Sequence, residues 1–171
     1  MFDRKKMIDP KKILAEKKVI IIGDKDGISG PAIEACLKST GVEVVYVTTK
    51  CFACSTTGAM DVEIQQIIVD CATLHGAQNL VVVIGGSEAE SSGLCAETVT
   101  TGDPTFVGPL AGIALGLVVY HVFEPEIKNE CQESVYEEQC GIMEMVLEID
   151  EIILEVKSIR DKFSMYGLKR C

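Results

Sequence analysis

Val19-Ile20-Ile21-Ile22-Gly23-Asp24-Lys25-Asp26-Gly27-Ile28-Ser29-Gly30-Pro31 is the stretch on which the fold turns. Four β-branched residues in an unbroken run, closed by a glycine, read as a strand buried on both faces, the pattern of a parallel sheet. The loop then opens a helix over residues 32–38, with Ile33, Cys36 and Leu37 on its inner face. A glycine-rich loop between strand and helix can cradle a phosphate. Its spacing here fits neither G-x-G-x-x-G nor the P-loop, and Asp24 and Asp26 would repel an anion. Cys36 reads as a core residue, because a buried free cysteine behaves as a small hydrophobe.

Upstream, residues 1–18 hold seven bases, Arg4, Lys5, Lys6, Lys11, Lys12, Lys17 and Lys18, and read as a basic N-terminal extension with a solvated face. Asp9 can cap, and Pro10 can open, a short helix through Glu16, with Ile13 and Leu14 as its apolar anchors. Downstream, Gly41 ends the first helix and residues 42–47 form a second strand. Residues 80–84 form a third, and 117–122 a fourth. A helix over 58–75 carries Ile64, Ile67, Ile68, Cys71, Ala72 and His75 on one stripe; Cys71 reads as core, and His75 as a favourable charge at the helix end. Gly85-Gly86-Ser87-Glu88-Ala89-Glu90 is a loop on the carboxyl edge of the sheet, Leu94 and Cys95 belong to a short helix through Thr98, and residues 102–109 are an ordered loop. Residues 110–116 read as another short helix. His121 falls inside the fourth strand, as a hydrogen-bonded structural histidine.

After Pro125 the pattern is helical to the end. Ile142, Ile149, Val156 and Phe163 recur at seven, with Met145, Ile152 and Ile159 three residues after the first three, and Val146 and Ile153 widen the stripe. A stripe of that width packs on a sheet more often than on another chain, with a docking or dimer face as the alternative. Alternating strand and helix periods define an α/β fold: three layers, a mostly parallel sheet flanked by helices in a doubly wound, flavodoxin-like or Rossmann-like arrangement, with a long C-terminal helix. The domain reading is a basic extension over 1–18 and one α/β redox domain over 19–171.

A chain of 171 residues, 47% of them hydrophobic, is long enough to bury a real core. Its formal charge of −10 argues against nucleic acid or an anionic membrane as partner. No apolar stretch has spanning length and no signal-peptide pattern is present, so a cytoplasmic protein is expected. The eight cysteines are spread over a full-sized domain and read as reduced thiols rather than a secreted disulfide framework.

Two of those thiols stand out. Cys51 and Cys54 lie three positions apart where the second strand gives way to a helix, the edge at which open α/β sheets bind ligands. If residues 51–54 form a β-turn, their Cα atoms come within about 7 Å, which overlaps the roughly 4.4–6.8 Å of an unstrained disulfide. With Ser55, Thr56 and Thr57 as N-caps and a helix from Gly58, Cys54 would lie just ahead of unpaired amides that favour a thiolate.

Cys51-Phe52-Ala53-Cys54 followed by Gly58-Ala59-Met60-Asp61 also resembles component A, the selenoprotein subunit of the glycine/sarcosine/betaine reductase complex. The likeness runs from about Lys18 to Phe163. It includes Ile20-Ile21-Ile22-Gly23-Asp24, Gly30-Pro31-Ala32-Ile33-Glu34, Gly102-Asp103-Pro104-Thr105-Phe106 and Gly108-Pro109-Leu110-Ala111-Gly112. The resemblance implies an oxidoreductase subunit of amino-acid fermentation that works with components B and C. The residue at position 54 attacks the α-carbon of an amino acid held as a Schiff base on the pyruvoyl group of component B, and takes up a carboxymethyl group. Component C receives that group as an acetyl thioester and yields acetyl phosphate, while thioredoxin re-reduces the oxidised centre. Cys51 is then the resolving thiol. The pyruvoyl group belongs to component B, so no cofactor or metal is implied for this chain. Cys54 stands where the family carries selenocysteine, and the codon at that position, UGA or a cysteine codon, tells the two apart.

A thioredoxin-like dithiol oxidoreductase is the alternative, since C-x-x-C at a helix start satisfies it equally. Against it, the pair follows the second strand of a doubly wound pattern. A zinc site would need four ligands, and there is one C-x-x-C with no second pair or His-x-His. A flavin module would want a hydroxyl-rich phosphate loop where this chain has two aspartates.

Overall fold

A computed structural model describes residues 12–51 and 59–167 of the chain. Four strands, β1 (Lys18–Asp24), β2 (Glu43–Lys50), β3 (Leu80–Ile84) and β4 (Val118–His121), form one sheet in the order β2-β1-β3-β4, with every pairing parallel. The helices are α1 (Gly30–Lys38), α2 (Val62–His75), α3 (Ala89–Thr100), α4 (Pro125–Lys128), α5 (Glu133–Val146) and α6 (Ile149–Phe163). The strand order reverses between β1 and β3, so the crevice above their carboxyl ends is the topological switch point of the sheet.

Alternation along the strands divides the core in two. Val19 and Ile21 of β1 point to one face, with Val81 and Val83, and meet Ile33 and Leu37 of α1 and Tyr136 and Cys140 of α5. Ile20 and Ile22 point to the other, with Val82 and Ile84, and meet Ile68 of α2, Ala96 and Val99 of α3, and Val156 and Ile159 of α6. This is the expected three-layer α/β architecture. Cys36 is buried, as expected, with its Sγ 3.9 Å from that of Cys140.

Several local expectations need correction. Residues 13–16 form a turn rather than part of a helix, although Leu14 anchors in the core as anticipated. Ala59, Met60 and Asp61 are not helical, and α2 starts at Val62 because the Asp61 carboxylate caps it, accepting from Glu63 N at 2.8 Å. Helix α3 has 12 residues rather than a few, and takes in Ser91, Ser92 and Gly93, which look like loop formers in sequence. Gly93 faces Glu155 of α6, and Cys95, Ala96 and Val99 of the same helix share the second core with Val156 and Ile159 of α6. Residues 110–116 are turns and irregular chain.

The heptad seam is interrupted. Leu147, extended at φ −86° and ψ 157°, packs into the first core and separates α5 from α6. Ile142 and Met145 are consequently 76% and 88% exposed, while Ile152, Val156 and Ile159 of the C-terminal helix are buried.

The outer side of β4 is closed by side chains and loops. Ser164 Oγ donates to Leu117 O at 2.8 Å, and Arg160 Nη1 donates to Val119 O at 3.0 Å. His121 N donates to Glu124 Oε2 at 2.8 Å, and Leu117 N to Val99 O at 3.1 Å. Arg160 also forks onto Glu124 with two 2.8 Å bonds and stacks 3.8 Å from the Tyr120 ring centroid. These contacts hold α6 against the edge strand.

Candidate functional site

The three carboxyl ends β1, β2 and β3 are laced together by main-chain and short side-chain bonds. Lys25 N donates to Lys50 O at 2.8 Å, Ile28 N to Gly85 O at 2.9 Å and Gly85 N to Ile22 O at 3.1 Å, while Gly30 N donates to Thr49 Oγ1 at 2.8 Å. Asp24, buried at the end of β1, accepts from Asp26 N at 2.9 Å on Oδ1 and from Ser87 N at 3.1 Å and Ser87 Oγ at 3.3 Å on Oδ2. The loops after β1 and β3 are therefore joined through one carboxylate, which occupies amides that an anion would need. The loop after β3 lies on this edge through Ser87, as expected, but it is shorter than 85–90 because Ala89 and Glu90 already belong to α3.

Asp24 is the register partner of Lys50 across β1 and β2. Register places both side chains on the face of Ile20 and Ile22, toward α2 and α3. Lys50 is only 8% exposed. Burial lowers its pKa, and Cys95, Asp24, Asp61 and Asp103 act in the opposite direction as surrounding negative or ionisable groups. Cys95, on α3, is itself buried, and that burial raises its thiol pKa.

Cys51 follows Lys50 directly, is half-buried, and is disulfide-bonded. The other described cysteines, Cys36, Cys71, Cys95, Cys131 and Cys140, are free thiols, so its partner is none of these. Cys54 lies outside the described residues, and so does its expected place at a helix start.

Past residue 58 the chain is held by Gln65 and Asp103. Gln65 is fully buried on α2; its Nε2 donates to Met60 O at 2.8 Å and to Asp103 Oδ2 at 3.1 Å, and its Oε1 accepts from Leu110 N at 3.1 Å. Asp103 Oδ1 accepts from Thr105 N and Oγ1 at 2.8 and 2.7 Å, and Oδ2 from Val107 N and Gly108 N at 2.9 and 3.0 Å. Burial alone would raise the Asp103 pKa, but the donors from Thr105, Gln65 and Gly108 hold it well below the usual carboxylate range. Gly108 has to be glycine here, because a Cβ would lie 2.4 Å from Gln65 Oε1. The 102–109 segment is thus the ordered loop expected from sequence, and its purpose is to brace the start of α2.

His121 is the structural histidine anticipated. Its Nε2 lies 2.8 Å from Gly86 O, and Nδ1 accepts from Phe123 N at 3.2 Å, which makes Nε2 the protonated nitrogen. Burial lowers its pKa to about 4. His75 closes α2 as expected, and Cys71 is half-buried against the second core. Among the described residues no three His, Cys, Asp or Glu side chains are grouped to hold a metal ion, and no helix is long and apolar enough to cross a membrane. Sequence reading passed over Lys50, Gln65 and Asp103. A lysine ending a strand and a glutamine inside an apolar stripe look like solvated polar positions until their burial is known.

A four-stranded, all-parallel sheet with helices on both faces and Cys51 at the carboxyl end of an edge strand defines a three-layer α/β protein. The family model for glycine reductase complex selenoprotein A matches residues 14–160, and the chain belongs to that family. It is similar to glycine/sarcosine/betaine reductase complex component A of Gottschalkia purinilytica, at 62% identity over 86% of this chain and 99% of that protein. Component A2 of Photobacterium profundum is 58% identical over 91% of this chain and 97% of its own length. Component A1 of Peptoclostridium acidaminophilum is 59% identical over 88% and 96%. No solved structure is significantly similar to the chain.

Proposed function

We propose that this chain is the redox and carrier subunit, component A, of a glycine, sarcosine or betaine reductase complex, with Cys54 as nucleophile and Cys51 as resolving thiol. The observation that carries the reading is the disulfide at Cys51, on the sheet edge where this fold class places its chemistry, in a member of the selenoprotein A family. Thiolate at position 54 attacks the α-carbon of the amino acid held on the pyruvoyl group of component B. The C–N bond breaks, the amine leaves, and a carboxymethyl thioether forms. Cys51 thiolate then attacks the adducted sulfur. The S–S bond forms as the C–S bond breaks, and the two-carbon fragment, reduced by two electrons, takes up a proton on its methyl carbon and loses a carboxyl oxygen as water as a thiol of component C takes it up as an acetyl thioester. Phosphate releases acetyl phosphate. Thioredoxin, as an external dithiol, returns two electrons to the 51–54 bond. Free thiols elsewhere in the chain suit a reducing cytoplasm.

The test is intact-protein mass spectrometry after one exposure to components B and C. Cys54→Ser should show neither adduct nor turnover, since a serine hydroxyl without an adjacent base is a far weaker nucleophile. Cys51→Ser should gain the carboxymethyl mass and stall. An unmodified Cys51→Ser protein, or one that keeps turning over, refutes the assignment. Turnover of a generic disulfide by the isolated protein would favour the simpler dithiol oxidoreductase.

A further inference from the structure

We infer that Cys36 and Cys140 are a second oxidisable dithiol of this chain: a hydroperoxide converts the pair to a disulfide that staples α1 to α5 inside the first core. The inference is independent of the carrier reading, since neither thiol belongs to the Cys51–Cys54 pair.

The two sulfurs lie 3.9 Å apart although 104 positions separate them in sequence, and both side chains are fully buried. A disulfide spans about 2 Å, so each sulfur has to move by roughly 1 Å to form one. The frame around them is already set. Gln132 N, at the cap of α5, donates to Ser39 Oγ, at the cap of α1, at 3.0 Å, and Ile33, Leu37 and Tyr136 of the same two helices share the core with the pair. A third thiol, Cys131, belongs to this core too. Its Sγ is already donating to Ile127 O at 3.3 Å, and burial pushes its pKa up to about 12. Cys36 and Cys140 are therefore each other's partner. Their contact is unequal: it lowers the pKa of Cys36, whereas the same contact, with burial, raises that of Cys140. Cys36 is the sulfur that ionises first and attacks.

Two buried thiols in contact differ from two core hydrophobes in that they can give up two electrons. The Cys36 thiolate attacks one oxygen of the hydroperoxide, the O–O bond breaks, and the leaving oxygen takes the Cys36 proton and departs as an alcohol or water. Cys36 is then a sulfenic acid. The Cys140 sulfur attacks it, the S–S bond forms as the S–O bond breaks, and the hydroxyl leaves as water with the Cys140 proton. Both electrons have passed from the pair to the peroxide. Hydrogen peroxide is small enough to enter during local opening of the helices. The new bond closes a loop that contains β2, α2, β3, α3 and β4, so it restricts the unfolded chain far more than the folded one.

The experiment exposes the reduced, full-length protein to hydrogen peroxide, quenches it in urea with N-ethylmaleimide, and maps its peptides by mass spectrometry. The peptide containing Cys36 should be joined to the one containing Cys140, and dithiothreitol should separate them. Cys140→Ala should instead leave a sulfenic acid on Cys36 that dimedone traps. The rise in urea midpoint on oxidation should be about 1 M larger in wild type than in Cys140→Ala. Cys140→Val takes the place of Cys140→Ala if the alanine variant does not fold, and the wild-type map needs no variant. Maleimide on both Cys36 and Cys140 after peroxide, a bond from Cys36 to Cys131, no dimedone on Cys36 in the variant, or equal midpoint rises overturn the inference.

Discussion

Gln65 Nε2 donates to Asp103 Oδ2 at 3.1 Å and joins the first turns of α2 to the loop that follows α3. The same nitrogen donates to Met60 O, so one amide fixes the point at which the chain leaves the reactive stretch. Lys25 N, bonded to Lys50 O, fixes the point at which it enters. The described residues on either side of positions 52–58 are thus each tied to a different part of the fold.

Removing the Gln65 amide takes the bonds it makes from two buried main-chain groups, Met60 O and Leu110 N, and one of three donors from Asp103 Oδ2. Gln65→Leu should cost about 2–3 kcal/mol in urea unfolding, since buried polar groups left unsatisfied each carry a desolvation penalty. Gln65→Glu should be at least as damaging, because it sets a second carboxylate against Asp103. A variant as stable as wild type would contradict the bracing role.

Asp103 also makes stability depend on acid. Its carboxyl is held below the ordinary value in the folded chain, so its contribution is fully present above about pH 4 and is lost as pH falls below that. Asp103→Asn should therefore flatten the acid limb of a stability–pH curve between about pH 4 and pH 2, and an unchanged limb would refute this.

His121 acts over a higher window with the same sign. Its neutral form is favoured in the fold, with a pKa of about 4, whereas the unfolded chain binds the proton near 6.5. Between those values the unfolded state carries more protons, so stability falls by roughly 3 kcal/mol as pH drops from about 6.5 to about 4. Urea midpoints at pH 7 and pH 4.5 should differ less in His121→Gln than in wild type. Equal differences in the two proteins would sink the assignment.

The Arg160–Glu124 pair should show strong coupling. Arg160→Met leaves the buried Glu124 carboxylate uncompensated and should cost about 3–5 kcal/mol. Adding Glu124→Gln should recover part of that loss, and a double-mutant cycle with no coupling would show that the pair is energetically idle.

The β-branched run from Val19 to Ile22 sufficed to announce a parallel sheet, because burial on both faces leaves no polar alternation to misread. The four strands and the placement of Cys51 at a strand's carboxyl end followed from similar patterns. What escaped the sequence depended on distant partners. Ser91, Ser92 and Gly93 look like a loop, yet they are helical and buried, in a helix whose Ala96 and Val99 pack in the second core. The seam from Ile142 to Phe163 reads as one stripe, and only the burial of Leu147 divides it. Position 65 announces nothing by its chemistry, since a glutamine at the centre of a hydrogen-bond hub has the same sequence signature as one in water.

The sealing of β4 has a consequence for assembly. With Leu117, Val119 and His121 already bonded to α3, α6 and Glu124, an additional strand has no ladder to join on that side. Among the described strands β2 is the other one with a single neighbour, and it is the strand that runs into Cys51.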